Sequence, residues 1–228
     1  MSEINILYQD DYIVAVEKPS GILVHPYWKE TNEKDSLMAR VRNQIGQRVY
    51  PLHRLDRPVS GVLLFALSPK IVKDFQLHWH FANTRKEYIT LCRNILTEPG
   101  EWTFALKNDK GVEQKAKTLY WPIAQFEDTT LCRVQIKTGR KHQIRRHFAR
   151  RMFNIIGDTN KGNGPMNRKF REEYELHRIF LHAWKLEIEH PKTEELLKLT
   201  CPLPIELLNV VEKLGLSQKD FQTKLEKF

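Results

Sequence analysis

No run in this chain approaches the ~18 consecutive apolar residues a membrane-crossing helix needs, although 41% of its residues are hydrophobic. The N-terminus, MSEINILYQDDY, lacks the basic start and apolar core of a signal peptide and carries acids instead. Cysteine is scarce: Cys92, Cys132 and Cys201 lie far apart, odd in number and without CxxC spacing. That excludes a disulfide scaffold and a cysteine zinc site, and fits reduced, buried thiols in a cytoplasmic protein. The GNG at 162–164 lacks the spacing and the lysine of a phosphate-binding loop, so nucleotide binding is rejected. His78 and His80, two residues apart on an expected helix, point to different sides and make no metal pair. Internal repeats, low-complexity tracts and long linkers are missing too, and residues 1–228 read as one domain.

Acids are absent from one segment in particular. Lysine and arginine total 37 against 28 aspartates and glutamates, a formal charge of +9, and the excess is concentrated. Lys137, Arg140, Lys141, Arg145, Arg146, Arg150 and Arg151 are seven cations in fifteen residues, a patch suited to a phosphate backbone. By charge alone it also fits a solvated helix face.

HRLDRPVSG, residues 53–61, sets a single carboxylate, Asp56, between Arg54 and Arg57. Pro58 biases Arg57 towards an extended conformation, Gly61 can adopt positive φ, and the apolar run Val62–Ala66 follows. The expectation is a charged loop entering a buried strand, a common place for a site. Read by itself, such an aspartate is more often half of a structural ion pair.

Along the chain, Ile4–Leu7 and Tyr12–Val16 read as a hairpin around Asp10-Asp11, and Lys18-Pro19-Ser20-Gly21 as a turn that requires no function. Asp35 is expected to cap a helix with Leu37, Val41 and Ile45 inward and Gly46 as its stop. Ser68-Pro69 opens another, with Val72, Phe75 and Trp79 buried. Strands are expected at 86–91, with Lys86, Tyr88 and Thr90 on one face, then at 102–106, 116–120 and 131–136, with 108–115 a polar loop. Ile144, Phe148 and Met152 mark the core stripe of a helix after Thr138-Gly139. Arg145 lies at the edge of that stripe, where it can reach inward to a carboxylate. Ile155-Ile156-Gly157-Asp158 reads as a buried pair and a turn, and 167–174 as a charged helix. Residues 181–188 and 196–199 read as a hairpin containing a structural His182, 204–214 as a helix and 217 onwards as a charged tail. The fold class is α+β, with a large mixed or mainly antiparallel sheet flanked by helices.

Six segments together resemble the RluA family of pseudouridine synthases: KPSGILVHP from Lys18, HRLDRPVSG from His53, KEY from Lys86, TGRKHQIRRH from Thr138, IIGD from Ile155 and LHAWKLEIEHP from Leu181. The resemblance implies the pseudouridine synthase catalytic fold without an S4-like domain in front. It also implies isomerisation of uridine to pseudouridine in tRNA, at uridine 65, and the missing S4-like domain favours the short members that act on tRNA, although the family's dual-specificity enzyme is short as well. By the same resemblance Asp56 is the nucleophile, Tyr88 lies against the target base, Arg145 pairs with Asp56, and Arg54 enters the helix where the uridine has left. Arg140, Lys141 and Arg146 complete the RNA-binding set, and Arg57 stays unassigned. The partner is tRNA; no cofactor, metal, membrane or protein partner is implied, and a monomer is expected. Val59, Asn154 and Asn160-Lys161-Gly162 depart from the family pattern, which bears on the substrate-side loop. Two alternatives stay open: a ribosomal or dual-specificity synthase, and a basic RNA-binding protein without catalysis.

Overall fold

The computed structural model describes residues 3–25, 35–78 and 84–226. In chain order the elements are β1 (Ile6–Gln9), β2 (Ile13–Lys18), α1 (Leu37–Ile45), β3 (Tyr50–Pro51), β4 (Ser60–Ala66), α2 (Pro69–His78) and β5 (Arg85–Arg93). There follow β6 (Gly100–Trp102), β7 (Leu106–Lys107), β8 (Glu113–Gln114), β9 (Thr118–Gln125), β10 (Thr129–Ile136) and α3 (Gln143–Arg150). The chain continues through α4 (Gly164–Tyr174), β11 (Leu181–Glu189), β12 (Leu196–Thr200), α5 (Ile205–Lys213) and α6 (Gln218–Glu226). This is the expected α+β content. None of the described helices is long and apolar enough to cross a membrane.

The chain groups into two compact units, each made of two stretches distant in sequence: Met1–Lys86 with Ala183–Pro202, and Glu87–His182 with Leu203–Phe228. In the first, the strand order is β1-β2-β4-β11, with β3 beside β4 and β12 beside β11. The β1–β2, β2–β4, β3–β4 and β11–β12 pairs are antiparallel. The β1–β2 turn is closed by Asp10, whose carboxylate accepts from the amides of Tyr12 and Ile13 at 2.7 and 2.8 Å. All seven residues of β4 are buried. Its sequence, SGVLLFA, shows no alternation because both faces are covered, and each large apolar side chain contributes about 1.5–3 kcal/mol by leaving water. In β4, Gly61 has φ +121°, and a Cβ there would sit 2.2 Å from the carbonyl oxygen of Ala183. A side chain at this position would push two paired strands apart.

In the second unit the order is β5-β10-β9-β6, with β7–β8 a separate hairpin. The β9–β10 and β6–β9 pairs are antiparallel. Trp102 packs on Tyr120 and edge-on to Phe148, with ring centroids at 4.4 and 4.7 Å, joining β6 and β9 to α3.

Several expectations are corrected. Ser36, not Asp35, caps α1, accepting from the amide of Ala39; Asp35 pairs with Arg40 instead. The inward residues of α2 begin at Ile71 rather than Val72, and Trp79 and His80 lie outside the described residues. No single strand runs through 102–106. The carbonyls of Phe104 and Ala105 face side chains, His147 and Arg150, instead of a neighbouring strand, so β6 stops at Trp102. The polar loop at 108–115 contains β8. Met152 is no core residue: α3 ends at Arg150, the chain turns through φ +65° at Met152, and its side chain is 62% exposed. The charged tail folds as α6, burying Phe221 and Leu225 one turn apart, with Ser217 accepting from the amide of Asp220 at its start. That Ser-x-x-Asp cap was visible in the sequence. All three cysteines are buried, and so is His182.

Candidate active site

The loop carrying Asp56 is held almost carbonyl by carbonyl by Lys18-Pro19-Ser20-Gly21. Lys18 ends β2, opposite Gly61 in the β2–β4 register, and has no exposed surface. Its Nζ donates to the carbonyls of Pro19 and Val59 at 2.8 Å and of Arg57 at 3.1 Å. Ser20 Oγ donates to the Pro58 carbonyl at 2.7 Å. The Gly21 amide donates to the Arg57 carbonyl, while Arg57 Nε donates to the Gly21 carbonyl, both at 2.9 Å. The Val59 amide closes the turn on the Asp56 carbonyl at 3.0 Å. A buried ammonium is costly to desolvate, and the carbonyl dipoles converging on it supply the compensation. The turn that appeared to need no function is thus a template for the segment just after Asp56, and Arg57 has a structural task as a latch.

Before Asp56, the chain is tied to β4. The Leu52 amide donates to the Leu64 carbonyl at 3.0 Å, and the Leu64 amide to His53 Nε2 at 3.2 Å. Burial, followed by the charge of Lys86, pushes His53 down to about 3, so the ring stays a neutral acceptor. Lys86 is itself pushed down to about 8 by burial. The Asp56 side chain is half-buried and Arg54 is exposed.

In the second unit, Tyr88 lies on β5 with 8% of its surface exposed. Arg145, on α3, is 4% exposed and grips Asp158 in a two-pronged bond, Nε to Oδ2 at 2.7 Å and Nη2 to Oδ1 at 2.8 Å. These bonds use two of the five N–H groups of the guanidinium. Oδ1 of Asp158 also accepts from the amides of Asn160 and Lys161 at 2.9 and 3.0 Å. Burial alone would raise this carboxyl, but Arg145 and the two amides hold it below the usual carboxylate range. Asn167 reads the same corner from α4, donating to the Asp158 carbonyl at 2.9 Å and accepting from the Gly157 amide at 2.8 Å. Asn154 Nδ2 donates to the Lys161 carbonyl at 2.7 Å, so two of the positions that depart from the family pattern brace each other. Gly162 passes so close to Asp158 that a Cβ would lie 2.1 Å from its carbonyl oxygen.

Arg140, Lys141 and Arg146 lie in and just before the start of α3. Arg140 Nε donates to the Lys115 carbonyl at 2.9 Å, Lys141 pairs with Asp109 at 2.9 Å, and Arg146 Nη1 donates to the Lys141 carbonyl at 3.4 Å. The candidate residues therefore fall in two sets: Arg54 and Asp56 in the first unit, and Tyr88, Arg140, Lys141, Arg145 and Arg146 in the second. Among the described residues no group of three or more His, Cys, Asp or Glu could hold a metal ion.

A family model described as RNA pseudouridylate synthase matches residues 12–150. The chain belongs to the RNA pseudouridylate synthase family. Its relatives include tRNA pseudouridine synthase C of Vibrio parahaemolyticus, 41% identical over 85% of this chain and 87% of that protein. The protein of the same name from Haemophilus ducreyi is 35% identical over 96% of this chain and 99% of that one. The solved structure titled Human RNA Pseudouridylate Synthase Domain Containing 4 covers 92% of both chains with a TM-score of 0.76 at 22% identity, which supports the fold. A second human structure, Domain Containing 1, gives 0.75 at 18% identity.

The RNA pseudouridylate synthase match spans the KPSG turn, the HRLD loop, Tyr88 and Arg145, and ends at Arg150. It stops short of Asp158, the carboxylate that sequence reasoning left without a role. The signal was an acid directly after the buried pair Ile155-Ile156 and a glycine. Its link to Arg145 needed the fold.

Proposed function

We propose that this RNA pseudouridine synthase acts on tRNA, converting uridine 65 to pseudouridine. The observation that carries the reading is the likeness, over most of both chains, to proteins named tRNA pseudouridine synthase C. The non-enzymatic alternative loses its ground with membership of a synthase family, while a ribosomal RNA target remains the competing reading.

In the proposed reaction Asp56 is the nucleophile, and Arg145, steadied by Asp158, is its partner. The N1–C1′ bond of uridine breaks, the detached uracil turns, and a bond forms from C5 to C1′ as the C5 proton leaves. The carboxylate can attack C1′ or remove a sugar proton to give a glycal, and both routes return it unchanged. A glycosidase normally employs a second carboxyl to protonate its leaving group. Uracil can leave as a delocalised anion and stays in the pocket, so one carboxylate suffices and no cofactor is called for. Extruding the uridine costs a few kcal/mol, which stacking on Tyr88, worth roughly 1–3 kcal/mol, offsets in part. Arg54 takes the place of the extruded base, while Arg140, Lys141 and Arg146 bind phosphates and position the RNA without reading sequence. The reading places the enzyme in the cytoplasm as a monomer without a protein partner.

Tritium release from C5-labelled uridine, in tRNA and in ribosomal RNA, tests this. Wild type is expected to release tritium from tRNA alone and Asp56→Ala from neither. Release only from ribosomal RNA overturns the tRNA assignment, and undiminished release by Asp56→Ala removes Asp56 as nucleophile.

A further inference from the structure

The cationic segment does not stop at Arg146. Arg150 and Arg151, at the end of α3, are exposed, and both guanidiniums lie over the ring of Phe104, 5.2 and 5.5 Å from its centroid. Arg150 Nη1 also donates to the Ala105 carbonyl at 3.2 Å, which ties the end of α3 to the chain between β6 and β7. The Phe104 ring packs against His147, with centroids 4.3 Å apart, and its carbonyl faces His147 Nε2 at 3.2 Å. His147 is fully buried, and Phe148 beside it packs on Trp102. Two arginines are thus ordered on one aromatic ring that rests on the core of the unit.

Cations near a helix C-terminus are favoured by the macrodipole, which accounts for one of them in a bland way. It does not account for two exposed guanidiniums sharing a ring. Among the described residues neither Arg150 nor Arg151 is paired with a carboxylate, whereas Lys117, Lys141, Lys169 and Lys213 all have one. Like charges brought together without an acid repel, and an external anion relieves this. A guanidinium placed over an aromatic ring still has N–H groups to offer the oxygens of a phosphate diester. Arg146 and Arg150, one turn apart, continue the stripe that starts at Arg140.

We propose that Phe104, Arg150 and Arg151 form a second binding site for the RNA backbone, in which the ring orders both arginines around one phosphate. The inference rests on RNA being the substrate. The site acts on affinity and register, not on the chemical step.

The test compares tRNA binding by the full chain across a salt series, read by fluorescence anisotropy, with turnover measured in parallel. For Arg150→Gln with Arg151→Gln, the slope of log affinity against log salt is expected to become shallower by about 0.7–0.9, the contribution of one phosphate. Affinity near 0.1 M salt is expected to fall about 3- to 10-fold, with KM raised to match and kcat unchanged. Arg150→Lys with Arg151→Lys keeps the charges and should keep the slope. Phe104→Leu should weaken binding with little change in slope, because the charges remain but are less ordered. Lys70→Gln with Lys73→Gln, removing the same charge from exposed positions on α2, serves as a control expected to match wild type. An unchanged slope in the arginine-to-glutamine pair overturns the proposal, as does an equal change in the lysine control. If that pair fails to fold, the salt dependence of each single substitution decides in the same way. Loss of binding to anionic phospholipid vesicles with unchanged tRNA binding would instead assign the patch to a membrane surface and overturn the RNA site. A wild type that binds tRNA but converts no uridine in it would sink the tRNA reading alone, because the binding slope is read without turnover.

Discussion

Lys18 and Arg145 are both cations withdrawn from water, one in each compact unit, and they are compensated in different ways. Around Lys18 backbone dipoles converge: the carbonyls of Pro19, Arg57 and Val59 turn towards the ammonium, so the charge organises the backbone next to Asp56. Around Arg145 a full carboxylate is present, Asp158, which also gathers two amides of its own loop. In the first case the cation shapes a loop; in the second a carboxylate aims a cation. The Asp56 loop should accordingly respond to loss of Lys18 in its geometry, and the Arg145 corner to loss of Asp158 in its stability.

The largest effect is expected from Asp158→Ala. Removing one partner of a buried pair leaves a desolvated charge and costs about 3–5 kcal/mol. Urea unfolding reads this directly, and Asp158→Asn, which keeps shape and some hydrogen bonding, should lose less. A loss below about 1 kcal/mol would mean that the pair does not hold the corner, since that is the range of exposed ion pairs.

Lys18→Met should follow at about 2–4 kcal/mol, because the converging carbonyls lose a shared donor and can reorient only in part. Its signature is functional: turnover should fall far more than tRNA affinity, because the backbone beside Asp56, the proposed nucleophile, shifts while the residues proposed to bind phosphates stay in place. Equal losses in both would reduce Lys18 to a general stabiliser.

A graded effect is expected from acid. His147 is pushed down to about 4, mainly by burial, with Arg150 and Arg146 adding to it against the Phe104 carbonyl. Its unfolded value is near 6.5, so between about 6.5 and 4 the unfolded chain binds a proton that the folded chain refuses. Stability from this ring is therefore complete above 6.5 and lost as pH falls towards 4. His53 works in the same direction, down to about 3. Urea unfolding followed from about pH 7 down to about 4.5, across the ordinary histidine range, should show a shallower decline for His147→Gln than for wild type.

The smallest change is expected from Ser20→Ala, about 0.5–1.5 kcal/mol for one hydrogen bond to the Pro58 carbonyl. Lys18 still holds the carbonyls on either side. A loss of activity as large as that of Lys18→Met would show that the loop depends on the whole turn rather than on the buried ammonium.

Local chemistry made much of this legible in advance. Asp10-Asp11 and Gly46 mark their turn and helix stop by side-chain and backbone preference, and Ser68-Pro69 opens α2 as its capping chemistry requires. The run in β4 announces a buried strand. The misreadings share a cause. Met152 continues a four-residue stripe that is correct until α3 ends, and 102–106 looks like a strand until His147 and Arg150 take its carbonyls. Both depend on groups more than forty residues away or on where a helix stops, and neither is encoded in the period of the pattern.

HRLDRPVSG also belongs to both accounts. Its residue types alone mark a charged loop before a buried strand, and together with GRKHQIRRH they point to the family, because those side chains at those spacings are specific. That Lys18 lies under the loop, that Arg57 latches onto Gly21, and that Asp158 takes hold of Arg145 were decided only by the tertiary structure. A buried charge is compensated by whatever dipoles and ions the fold brings within hydrogen-bonding reach, and reach is a distance in space, which residue order does not specify.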